Sequence, residues 1–239
     1  MSGRGAVMTF RYRFVFGDGT SRDFMISLDK DTLAMASPRR SAYPEWTRLS
    51  YRQCPNCPLD DSQHPHCPVA ANIVEPIEAF QSALSHEEVE VQVEVPARTY
   101  VCRTSLQKGL GSMMGIYMTT SGCPILDKLR PMVDSHLPFA TPTETTYRMM
   151  GMYLISQHFL AKRGKRADWT LDKLRSFMKE VERVNCAFAD RLRGTGARDA
   201  SINALVCLAA PGSTIAWSLP DEELDRLESI FLAHYGSEE

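Results

Sequence analysis

The sequence predicts an α+β protein, with an antiparallel β-rich region carrying a metal-binding loop over residues 1–104 and a helical region over 105–239. Three observations predict it. Two stretches before residue 104 alternate apolar and polar residues with a period of two, and three stretches after residue 140 place apolar residues at three- and four-residue steps. A loop rich in cysteine and proline lies between the alternating stretches. Strands first and helices afterwards is the pattern of α+β architecture. No long Pro, Ser or Gly linker separates the two regions, so they are expected to pack as one unit.

The first element is a hairpin from Val7 to Leu28. Phe10, Tyr12, Phe14 and Phe16 alternate with Thr9, Arg11, Arg13 and Val15 up to Gly17-Asp18-Gly19, and Phe24, Ile26 and Leu28 alternate after it. Asp-Gly supplies the backbone angles of a tight turn. A lone hairpin is marginal in water. Its expected partner is a strand over Glu88 to Tyr100, where Val89, Val91, Val93 and Val95 alternate with Glu88, Glu90, Gln92 and Glu94. Between them lie a Pro/Arg loop (Ser37 to Pro44), the cysteine loop and a helix expected near Val69 to Leu84, which Pro76 interrupts.

After Thr104 a Gly/Met-rich stretch, Gly109 to Gly115, leads into helical spacing; its glycines match neither phosphate-binding pattern and point to a bend or close packing. Thr141-Pro142-Thr143-Glu144 is a capping box with proline at the first helical position, and it opens a helix expected from Pro142 to Lys162. Arg163 and Gly164 mark its end. A second helix, Leu171 to Arg193, carries a core-packing stripe through Leu174, Phe177, Met178, Val181, Val184, Phe188 and Leu192. A third, Pro220 to Tyr235, repeats the pattern through Leu224, Leu227, Ile230, Phe231 and His234.

A net charge of −2 with mixed signs argues against nucleic acid as a partner. The N-terminus lacks the apolar core of a secretory signal, and no stretch has the length of a membrane span, so the expected location is the cytoplasm, away from membranes. Seven cysteines fit no disulfide framework. Cys102, Cys123, Cys186 and Cys207 stand singly, whereas Cys54, Cys57 and Cys67 cluster.

That cluster is the strongest chemical signal. Cys54-Pro55-Asn56-Cys57 places two thiols on one turn, and Cys67 follows after nine intervening residues with His64 and His66 beside it. The expected site is a closed, structural Cys3His zinc centre of Cys54, Cys57, Cys67 and His64, with His66 as the alternative to His64 because adjacent residues seldom both ligate well. Pro58 removes a backbone donor that such a turn would often use. An iron–sulfur cluster on the three cysteines plus Cys102 or Cys123 is the competing cofactor, and the nearby histidines favour zinc.

A second constellation surrounds Cys123. Pro124 would place Cys123 at a helix N-cap, where backbone N–H groups favour a thiolate. His136 and Glu144 follow, so a nucleophilic or redox-active Cys123 with His136 as base is a second reading. The plainer reading makes Cys123 a packing residue and His136 a loop anchor. Cys102, Cys186 and Cys207 read as inert core.

The CPNCPL…HPHCP loop and the TSGCPILDKLRPMVDSHLPFAT segment together resemble a family of uncharacterised bacterial proteins of about this length. The resemblance implies a bacterial, cytosolic setting and supplies no catalytic residues. The expected function is a zinc-binding module that presents a surface to a protein partner or small ligand, with the Cys123 thiol enzyme or redox sensor as its rival.

Overall fold

The computed structural model describes residues 6–35, 40–195, 203 and 227–235. β1 (Val7–Phe16) and β2 (Ser21–Asp29) form the expected hairpin, turning at Gly19 with φ +83°. Their register pairs Phe10 with Ile26 and Tyr12 with Phe24. β3 (Glu88–Val95) adds on the other side of β1, pairing Phe14 with Val91. The expected strand Glu88 to Tyr100 is in fact two: the chain reverses at Pro96-Ala97 and returns as β4 (Arg98–Ser105). The result is a four-stranded antiparallel sheet in the order β2-β1-β3-β4.

One face of that sheet is buried. Phe10, Tyr12, Phe14, Phe24, Ile26, Leu28, Val91 and Val93 are each at most a few per cent exposed, as their alternation predicted. Against it lies α3 (Leu106–Thr119), which begins at the residue after β4 ends. Gly109 makes that approach possible: a β-carbon there would stand 2.8 Å from Val91 Cγ2 and 2.9 Å from Phe14 Cε1. Close packing, rather than ligand binding, accounts for this glycine.

The helix expected over Val69 to Leu84 is broken into α1 (Pro68–Asn72) and α2 (Val74–Ala79). Pro76 lacks an N–H, and its ring excludes the carbonyl four residues back, that of Asn72, where α1 ends. A 3-10 turn over Leu126–Leu129 and the short α4 (Pro131–Asp134) precede α5 (Pro142–Lys162). The Thr141 capping box is formed in full: Thr141 Oγ1 accepts from the Glu144 N–H, and Glu144 accepts from the Thr141 N–H at 2.7 Å. Asp168 joins α5 to α6 (Asp172–Arg193), accepting from Tyr153 Oη at 2.7 Å and from the Lys173 N–H at 2.8 Å.

Leu174, Val181, Val184, Phe188 and Leu192 of α6 enter the same core as the sheet and α3. Of the expected third helix, α7 (Leu232–Tyr235) is observed; Leu224 lies outside the described residues, as does Cys207. Two expected core cysteines are placed otherwise: Cys186 is exposed on α6, and Cys102 is half-buried on the edge strand β4.

Candidate metal centre

The cysteine loop is held by short-range pairing. Leu49 N–H donates to Pro65 O at 3.1 Å and Cys67 N–H to Thr47 O at 2.8 Å, so the segments before Cys54 and before Cys67 run side by side. Cys57 N–H donates to Cys54 O at 3.0 Å, which closes the C-x2-C turn. Cys67 then caps α1, with Pro68 at its first position.

These turns bring Cys54, Cys57 and Cys67 together with Cys123, whose segment leaves α3. The four cysteines share the wall of one small cavity of about 20 Å3, enough for roughly one water-sized particle. The rest of that wall is apolar: Leu59, Val69 and Ile125 on one side, Val184 and Phe188 of α6 on the other. Among the described residues, no three His, Cys, Asp or Glu side chains already converge on a point where they would hold an ion. The four cysteines therefore line a common space without converging on one point in it.

Electrostatics connect the thiols. Burial, reinforced by the neighbouring Cys67 and Cys57, pushes the Cys54 thiol up to about 12. Burial also raises Cys67, against backbone N–H groups of Ala70 and Val69 that pull it down. Cys123 shows the same balance, with burial outweighing the Leu126 and Ile125 N–H groups. Backbone N–H groups do reach Cys123, but it caps no helix, the following 3-10 turn starting at Leu126 behind Ile125, and the net shift is upward, opposite to that of an activated nucleophile. Any metal bound here would have to displace these protons to solvent, so its affinity would rise with pH.

The proline that the sequence made a defect is a shared device. Cys54, Cys57, Cys67 and Cys123 are each followed by proline, whereas Cys102, Cys186 and Cys207 are not. At Cys67 and Cys123 the residue without an N–H is skipped, and the next two N–H groups turn onto the sulfur. Cys-Pro recurrence was the signal that could have joined Cys123 to the loop from sequence alone.

The histidines are placed elsewhere. His64 is exposed on the turn that follows Asp60, its N–H donating to Asp60 O at 2.9 Å. His66 Nδ1 stands 2.8 Å from Thr47 Oγ1, whose own proton goes to Pro44 O at 2.7 Å, so His66 is the donor to Thr47. Its ring lies against Tyr43 and, with Arg48 and Pro65, lines a separate open hollow of about 350 Å3. Neither histidine lines the cysteine cavity.

His136 is engaged on the sheet side: Nε2 is 2.6 Å from Tyr12 Oη, which also bonds Ser112 Oγ at 2.9 Å, and Phe10 packs edge-on to its ring. Burial, with help from Arg148, pulls His136 down to about 3. Glu144 is spent on the Thr141 cap. The described contacts join neither of them to Cys123.

A family model for a domain of unknown function (DUF6901) matches residues 10–232. The chain belongs to that family. The DUF6901 match takes in all four cavity cysteines and both regions of the fold. No curated protein and no solved structure matches the chain.

Sequence reasoning missed Arg191. It lies on the α6 face that carries Val184 and Phe188, is 1% exposed, and reaches back to the segment ahead of Cys54. Its Nη1 donates to Trp46 O at 2.8 Å and Arg48 O at 2.7 Å, and its Nη2 to Leu49 O at 3.3 Å and Arg52 O at 3.4 Å. An arginine inside an apolar stripe reads as a surface residue until the loop it clamps is known. No helix of the described residues is long and apolar enough to cross a membrane.

Proposed function

We propose that this DUF6901 protein binds one zinc ion through Cys54, Cys57, Cys67 and Cys123, a structural centre in a cytoplasmic binding or regulatory module. The observation that carries this is the single small apolar cavity walled by four cysteine side chains. Four thiolates around zinc leave no position for water, which is the mark of a structural centre. Cys123 takes the place first given to His64 or His66. With the histidines elsewhere, the argument for zinc over an iron–sulfur cluster rests on size, since about 20 Å3 favours one ion over a cluster with its own sulfides.

Zinc would fasten two pieces of chain, the loop from Cys54 to Cys67 and the segment after α3, against the α6 wall formed by Val184 and Phe188. Pro65 and His66, next to Cys67, also line the open hollow with Tyr43 and Arg48. Fixing Cys67 therefore fixes one wall of the surface offered to a protein partner or small ligand.

Metal analysis of protein purified without added metal tests this reading, and about one zinc per chain is expected. Cys123→Ser should abolish that stoichiometry, while His64→Ala and His66→Ala should leave it. Retained zinc in Cys123→Ser with loss in a histidine variant would restore the Cys3His set. Iron with visible absorbance would replace zinc by a cluster, and no metal in any preparation would end the proposal.

A further inference from the structure

Arg191 is among the largest fully buried side chains of the described residues. A guanidinium is charged at any physiological pH, and a buried charge is tolerated when an opposite charge or a full set of hydrogen bonds compensates it. Arg191 has neither in full. Its four acceptors are the neutral carbonyls of Trp46, Arg48, Leu49 and Arg52, its Nε lies buried without a partner, and no carboxylate pairs with it among the described residues. The face of Tyr51 also lies near it, 5.9 Å from the ring centre.

The cysteine cavity is built from the same elements, although Arg191 itself does not line it. Val184 and Phe188, one and two turns back along α6, form the cavity wall. Thr47, between the two carbonyls that hold Nη1, accepts the Cys67 N–H at 2.8 Å. The rest of the α6 contact is built around the same alignment: Arg52 Nη1 donates to Asp190 O at 2.7 Å and Asn56 Nδ2 to Glu180 Oε2 at 2.8 Å. Gly194 permits the approach, since a β-carbon there would stand 2.5 Å from Tyr51 Oη.

We infer that Arg191 is the counter-ion of the metal centre, a positioning residue that pairs the dianionic metal–tetrathiolate with a cation supplied by α6. Rather than widening the function, this deepens the zinc reading and rests on it. Loading the centre replaces four neutral thiols by a net charge of two minus, since a divalent ion offsets half of four thiolates. The loaded centre thus completes the compensation that the carbonyls leave partial. Metal occupancy and the docking of α6 on the loop then favour each other, because each supplies the charge the other lacks. Metal loading in this family would therefore be read out as the order of α6.

The test uses the full chain, with zinc affinity measured by competition against a chromophoric chelator for wild type, Arg191→Lys and Arg191→Met. Arg191→Met keeps an apolar stem and removes the charge, and zinc affinity should fall roughly 10–100-fold, as changes behind metal ligands do. Arg191→Lys keeps the charge while giving up the four-carbonyl fork, and should hold most of the wild-type affinity. Denaturant unfolding of zinc-loaded and stripped protein supplies the second readout: Arg191→Met should cost the loaded form more than the stripped form.

Equal zinc affinity in Arg191→Met and wild type overturns the inference, as does an equal stability loss in both states, which is what a simple carbonyl clamp predicts. Should Arg191→Met fail to fold, Arg191→Lys still decides, because an affinity as weak as that of the likewise uncharged Arg191→Gln overturns it. A wild type that binds no zinc, iron or other ion fails at the earlier step, on the centre itself.

Discussion

Two places in the molecule bury titratable side chains where the N-terminal region meets the helices, and they are built in opposite ways. At the Tyr12 node, a hydroxyl on β1 meets Ser112 of α3 and His136 of the loop before α5, and the polar atoms are matched to one another at 2.6 and 2.9 Å. At the cysteine cavity, four thiols face a common space, and the buried guanidinium beside them has an Nε with no acceptor. The first is complete as it stands, whereas the second leaves one buried donor, Arg191 Nε, without a partner among the described residues. A satisfied buried network specifies packing, while an unsatisfied buried donor calls for an explanation such as an ion or a water. The difference also separates the two sequence readings of Cys123, which belongs to the incomplete cavity, and of His136, which belongs to the complete node.

Removing metal should strike the two places unequally, and this is the largest effect expected. At free zinc about 1,000 times the dissociation constant, binding contributes about 4 kcal/mol of stability. Chelation should remove that amount, and hydrogen exchange should rise along α6 and the cysteine loop while β1 and α3 stay protected. Uniform exchange across both places would erase the contrast.

Tyr12→Phe attacks the other side. It leaves Ser112 and His136 without their shared partner in a buried setting, at a cost of about 1–3 kcal/mol. Urea unfolding should show the loss, with zinc stoichiometry unchanged. A fall in zinc content would mean that the node and the cavity are coupled.

A smaller effect per unit is expected from pH, in metal-stripped protein so that thiol chemistry does not contribute. His136 is held near 3 in the folded chain, below its ordinary value of 6.5. The unfolded chain therefore takes up a proton that the folded one refuses. Stability from this group is present above pH 6.5 and is lost as pH falls, by up to about 1.4 kcal/mol per unit, until the folded value is reached. Carboxylates add their own slope at the acid end, so the measurement is the difference between wild type and His136→Gln. If the two slopes coincide between pH 6.5 and 4.5, His136 is not the buried neutral group described here.

Much of the fold was legible because its signals are local. Asp18-Gly19 fixed the first hairpin, Thr141 with Glu144 fixed the start of α5 to the residue, and the valines of β3 declared their buried face. β4 escaped because an edge strand with little buried surface carries no clean alternation: Val101 is 59% exposed and Arg98, Thr99 and Arg103 point to water. The break in the Val69 to Leu84 helix was foreshadowed by Pro76, and only the backward reach of its ring says where it falls. At the cavity, three cysteines were legible from spacing. Cys123, 56 residues beyond Cys67, was marked only by its shared Cys-Pro step, and Arg191, 124 residues beyond Cys67, carried no local mark at all, since the topology closes that distance.

The sheet order leaves β2 and β4 on the outside. On β4, Pro96 precedes the strand, and Arg98 and Arg103 charge it along its length; Arg103 reaches Glu90 on the neighbouring strand at 3.4 Å. An outer strand with a free row of backbone groups invites another chain to extend the sheet, and charge is the common guard against it. The poor apolar pattern that hid β4 in the sequence is thus the property that keeps the sheet from growing by edge-to-edge aggregation.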